Sequence, residues 1–97
     1  MARIIYSEEA LRDFERIIEF SLTAAPAASA DLIERIRDAI AMLAEHPLIG
    51  RKRDGLRREL VISRGRAGFV AMYRFDAVND RVFVLRIRHQ REAGFTD

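Results

Sequence analysis

Apolar residues recur along this chain first in steps of three and four and later in steps of two, so two helices should precede most of the strands. Arg3 to Tyr6 holds Ile4, Ile5 and Tyr6 in a short run ended by Ser7, the pattern of a strand. Ser7 is placed to cap a helix, with Glu8 and Glu9 in a first turn whose dipole favours negative charge. Leu11, Phe14, Ile17, Ile18 and Leu22 then follow at helical spacing and predict one apolar face. Ala24-Ala25-Pro26 breaks that pattern, because Pro26 lacks an amide proton and is best tolerated in the first turn of a new helix. The second helix runs to about Glu45, with Leu32, Ile33, Ile36, Ile40 and Leu43 on its apolar side. So short a link predicts an antiparallel helical hairpin, closed by Pro47 and Gly50.

From Leu56 the period is two. Leu56, Arg58, Leu60 and Ile62 share one parity, and Arg57, Glu59 and Val61 the other. Ser63 to Gly68 reads as a turn, Phe69 to Phe75 as a strand, Asp76 to Asp80 as a second turn, and Arg81 to Arg88 as a final strand. The expected fold is α+β in the order β-α-α-β-β-β. It is a single domain over residues 1–97, with an N-terminal strand and the helical hairpin packed on one face of a small, mainly antiparallel sheet.

Strand parity then divides the sheet. Phe69, Tyr73, Phe75, Phe83, Leu85 and Ile87 should face the helices. The other face should present Val61, Val70, Met72, Val82 and Val84 together with Arg57, Glu59, Arg74, Arg86 and Arg88. Five apolar side chains bordered by arginine are more than a solvated sheet face carries, so a partner is expected there, the alternative being cover by the first strand, the C-terminal tail or a second copy of the chain. An acidic, amphipathic peptide fits, since the strip supplies burial and the rim supplies orientation.

Charge sharpens this. Residues 1–50 hold five arginines against nine acids, a net of −4, while residues 51–91 hold twelve cations against four acids, a net of +8. Of the 17 cations only Lys52 is lysine, which favours planar, bidentate contacts with oxyanions. With no cysteine and two histidines, neither a disulfide framework nor a metal site is expected, and a reducing cytoplasm suits the chain. No apolar run approaches the ~18 residues needed to span a bilayer, and the opening hexapeptide is too short for a secretory signal, so no membrane role is expected.

Candidate chemistry is sparse. Cleaving RNA would need a base, cations on the phosphorane and an acid, roles for which Glu59, Arg74 with Arg86 or Arg88, and His89 are the available groups. His89 continues the parity of Phe83, Leu85 and Ile87, which points it to the helix side. The serines form no nucleophile elbow and the glycines no phosphate-binding loop, so no cofactor is expected.

Several stretches resemble one family in the right order: Ser7-Glu8-Glu9-Ala10 after the opening strand, His46-Pro47-Leu48-Ile49-Gly50-Arg51 after the second helix, Arg58-Glu59-Leu60, Tyr73-Arg74, and Ile87-Arg88-His89-Gln90-Arg91-Glu92-Ala93-Gly94-Phe95. Over nearly its full length the chain is similar to toxins of the RelE/ParE superfamily of bacterial type II toxin–antitoxin modules. That resemblance implies a growth-inhibiting protein neutralised by a cognate antitoxin that wraps it, in a toxin–antitoxin hetero-oligomer. RelE-like members are ribosome-dependent mRNA endonucleases, and ParE-like members inhibit DNA gyrase. The resemblance implies that a nuclease-branch member places a cation near the start of the strand that here begins Phe69-Val70, and carries either several lysines or a carboxylate, a histidine and a terminal tyrosine; this chain has one lysine and ends Phe95-Thr96-Asp97. Arg74, as phosphate stabiliser, and His89, as acid, are the only positions that carry over to nuclease roles. The Ile87 to Phe95 stretch looks ParE-like, which favours gyrase as target, with ribosome-bound mRNA as the alternative. Antitoxin or target contacts are expected at Arg57, Glu59, Val70, Met72, Arg74, Val84, Arg86, Arg88 and Arg91.

Overall fold

A computed structural model describes residues 1–62 and 68–90. Most of the expected turn from Ser63, and Arg91 with the segment after it, lie outside the described residues. The order is β1 (Arg3–Tyr6), α1 (Glu8–Ala24), α2 (Pro26–Ala41), a 3₁₀ turn (Met42–Ala44), β2 (Arg51–Lys52), β3 (Arg57–Val61), β4 (Phe69–Asp76) and β5 (Arg81–His89). The strands form one sheet in the order β1-β5-β4-β3-β2, antiparallel throughout except for the parallel pair β1 and β5. The α+β hairpin-on-sheet expectation holds, with one strand more than the sequence shows. Two residues, Arg51 and Lys52, are too few for an alternation to register.

Ser7 caps α1 as expected, its Oγ accepting the Ala10 amide at 3.0 Å. Pro26 opens α2 at the position where a missing N–H costs nothing. The apolar stripe of α1 is not quite the expected one: Ala10, Asp13, Phe14 and Ser21 are its buried residues, and Leu11 and Leu22 are about half exposed. Ile36, Ile40 and Leu43 of the hairpin meet Ala71, Tyr73, Val82, Val84 and Ile87 of the sheet in one continuous core.

Position 85 changes the expected faces. Tyr73 pairs with Val84 and Met72 with Arg86, so Leu85 has no partner on β4. One extra residue reverses the alternation of β5, so parity counted back from Ile87 gives the wrong face N-terminal to it. Val82 and Val84 therefore lie in the core, both fully buried, not on the open face where parity set them. Phe83, expected among the helices, is opposite Arg74 and shares its face.

The bulge is held from α1. The Ser7 hydroxyl donates to the Leu85 carbonyl at 2.9 Å, and the Ile87 amide donates to Asp13 Oδ2 at 3.0 Å. Arg86 completes the latch with Nε to Oδ2 at 2.8 Å and Nη2 to Oδ1 at 3.1 Å. β1 ends opposite Val84, so among the described residues no strand covers β5 beyond that point, and Asp13 supplies an acceptor where the ladder stops.

Tyr73 makes the other long-range tie. Its hydroxyl donates to the Pro47 carbonyl at 2.7 Å and accepts the Gly50 amide at 2.8 Å, joining the segment after the helical hairpin to the middle of the sheet. Burial pushes the phenol pKa up, against the lowering influence of the Gly50 amide and Arg58, so the group remains a donor.

Candidate protein-binding face

Away from the helices, the register lays side chains in rows across the strands. Ile5, Phe83, Arg74 and Arg57 form one row, Arg86, Met72, Glu59 and Arg51 the next, and Arg88, Val70 and Val61 a third. The apolar members, Ile5, Phe83, Met72, Val70 and Val61, run diagonally across the sheet. None of them belongs to the core cluster or packs against it. Val70 is nevertheless buried within the monomer, at 5% exposed, so the accessible part of the strip is Ile5, Phe83, Met72 and Val61. Arginines border the strip. The face inferred from parity is thus present with a corrected membership, Ile5 and Phe83 standing where Val82 and Val84 were expected.

Arg57, Arg74, Glu59 and Arg86 on this face each have a definite partner. Arg57 grips Asp54 in a fork, Nε to Oδ1 at 3.2 Å and Nη2 to Oδ2 at 2.8 Å, and that contact holds the exposed Asp54 carboxyl below the usual carboxylate range. The Arg74 guanidinium lies over the Phe83 ring, 4.7 Å from its centroid. Glu59 is only 6% exposed and receives Arg51 Nη2 at 2.7 Å, with Arg53 Nη1 at 3.7 Å. Arg86 turns over the β5 edge to the buried Asp13. Burial pushes the Asp13 carboxyl up, but the Arg86 bonds, the Ile87 amide and the charges of Arg86 and Arg16 outweigh it, so its pKa is lowered.

The nuclease candidates are not brought together. Glu59 is in register with Met72, on the open face, whereas His89 is in register with Phe69 and meets its ring edge-on at 5.3 Å between centroids, on the helix side. Arg74 and His89 are likewise on opposite faces. Val84 is inside the monomer, and Arg91 lies outside the described residues. Among the described residues no group of three or more histidines, cysteines and acids is placed to hold a metal ion. No described helix is long and apolar enough to cross a membrane.

Three residues are not placed by the sequence alone: Ile5, which joins the face through its pairing with Phe83, Phe83 itself, and Asp13. Phe83 was hidden by the bulge, which leaves no mark in the spacing. Asp13 did leave one: an acid between Ala10, Phe14 and Ile17 occupies a stripe position where only a paired carboxylate is stable.

The family model for the ParE toxin of the type II toxin–antitoxin system parDE matches residues 4–94. The chain belongs to this family. It is a toxin of a type II toxin–antitoxin system, within the RelE/ParE superfamily. The toxin is 34% identical over 92 residues to Toxin RelE3 of Caulobacter vibrioides, covering 95% of this chain and 98% of that one. It is also 34% identical over 89 residues to Toxin RelE1 of the same organism, covering 92% and 94%. Its fold is that of the chromosomal ParDE system from P. aeruginosa, with a TM-score of 0.75 at 19% identity over 92% of this chain and 96% of that one. The intact E. coli RelBE toxin–antitoxin complex follows at 0.67 and 14% identity, with the same coverage.

Proposed function

We propose that this toxin arrests growth by binding DNA gyrase, working in the cytoplasm, and that a cognate antitoxin neutralises it by occupying the open face of the sheet. The observation that carries the gyrase reading is the separation of the catalytic candidates. A general base and acid must both reach the scissile phosphate, and Glu59 and His89 are on opposite sides of the sheet. Glu59 is in addition buried under Arg51 and Arg53. An inhibitor that works by binding needs no such convergence. The match to ParE toxins supports the same target.

The names of the two Caulobacter relatives favour a second reading, ribosome-dependent cleavage of mRNA, with Arg74 and His89 as its groups. One pair of reactions separates the two. Purified toxin at stoichiometric excess should block supercoiling by gyrase and leave messages intact in cell-free translation. Normal supercoiling together with codon-positioned cleavage would replace the first reading with the second.

A further inference from the structure

We infer that Arg57 and Arg74 form a clamp for a carboxylate, the anchor point on the open face for an acidic residue of a bound peptide. The inference deepens the docking reading above and rests on it. The two arginines are direct cross-strand partners, β3 to β4, on the same face. Like charges directly opposite each other are unfavourable, with Cβ atoms only about 5 Å apart. Each guanidinium nevertheless has a neighbour that offsets the repulsion. Asp54 holds Arg57 through Nε and Nη2, and Nη1 donates weakly to Met72 Sδ at 3.9 Å, which turns that nitrogen toward the strip. Phe83 lies beneath the Arg74 guanidinium at 4.7 Å, and the Arg74 charge also reaches the Asp76 carboxyl, whose pKa, lowered by the Asn79 hydrogen bonds, it helps to lower further. Two guanidinium groups side by side over an apolar floor, with one exposed carboxylate held by Arg57, have donor capacity for a further oxyanion.

The floor decides which oxyanion. Ile5, Phe83 and Met72 lie beside the pair, and they gain by covering with apolar side chains. A peptide with acidic and apolar residues in alternation satisfies both the cations and the floor at once. A nucleic-acid backbone offers phosphate but surrounds it with sugar, which leaves Ile5 and Met72 wet.

The test uses the whole toxin and a ten-residue peptide alternating glutamate with valine, its glutamine counterpart, and a single-stranded RNA decamer. Nε–Hε signals of the arginines and methyl signals of Ile5 and Met72 report binding by NMR, and fluorescence anisotropy gives affinities. The glutamate peptide should move Arg57 and Arg74 well beyond Arg35, a surface arginine already paired with Asp31 at 2.7 Å. Arg57→Gln and Arg74→Gln should each weaken it about fivefold, and the double variant should no longer distinguish glutamate from glutamine. Thermal denaturation of each variant controls for folding. Equal binding of the two peptides with methyl shifts intact would overturn the clamp and leave the docking face standing. No methyl shifts with either peptide would overturn both, and tighter binding of the RNA at the same arginines would assign the clamp to phosphate instead.

Discussion

Replacing Asp13 with alanine should lower the unfolding free energy by about 2–3 kcal/mol, because it breaks a pair with one buried member and strips a partner from a strand amide. Asp13 is 4% exposed, accepts both Arg86 nitrogens and the Ile87 amide, and is the α1 side chain that pins β5 just past its extra residue. Arg86 is about one-third exposed and can recover some hydration, which keeps the loss below that of a fully interior ion pair. Asp13→Asn should cost less, since the amide oxygen still accepts from Ile87 and only the charge attraction to Arg86 is lost. Acid should reproduce the effect. The carboxyl pKa is lower in the folded chain than its ordinary value of 3.8, so its contribution is fully present above that value and is lost as pH falls through the folded one. Urea titrations over a pH series, wild type beside Asp13→Asn, measure it: the difference between the two should shrink on the acid side. A constant difference would mean that the ion pair contributes nothing.

Gly50→Ala should be comparably damaging, by about 2–3 kcal/mol or roughly 10–20 °C in Tm for a domain of this size. A Cβ there would sit 2.6 Å from both Cε1 and Oη of Tyr73 and 3.0 Å from the Glu59 carbonyl oxygen. The ring has nowhere to go, since Tyr73 is fully buried and its hydroxyl is tied at two points. Gly55 offers the contrast. It has a φ of +57° and open space around the added atom, so alanine there meets only backbone strain, about 1 kcal/mol. Asparagine should therefore be tolerated at Gly55 and be worse than alanine at Gly50. Thermal melts of the four variants would show whether contact with Tyr73 or backbone freedom is what each glycine provides.

The sequence exposes those parts of the fold whose periodicity runs unbroken. Ser7 with Glu8 and Glu9 marks the start of α1, Pro26 marks the break in the hairpin, and Phe69 to Phe75 alternates cleanly enough to set its own face. What it hides is set by tertiary contacts. Leu85 reads as one more residue in an alternating strand, and its displacement is held by the Ser7 hydroxyl and the Asp13 carboxylate, both more than 70 residues away in sequence. From that displacement follow the burial of Val82 and Val84 and the turning outward of Phe83. The candidate face survived the error because an extra residue exchanges the two faces of β5 only N-terminal to itself. Arg86 and Arg88 kept their side, and Phe83 with Ile5 replaced two valines by an apolar surface of the same kind.

Methyl NMR of the toxin with and without its cognate antitoxin tests most directly whether the open face is the docking surface. Signals from Ile5, Val61 and Met72 should shift or broaden on saturation, while Val82, Val84 and Ile36 in the core stay near their free positions. If the open-face methyls are unmoved and those of Leu11 and Leu22 on the outer side of the helical hairpin shift instead, the antitoxin sits on the helices and the arginine-bordered strip is not where it docks.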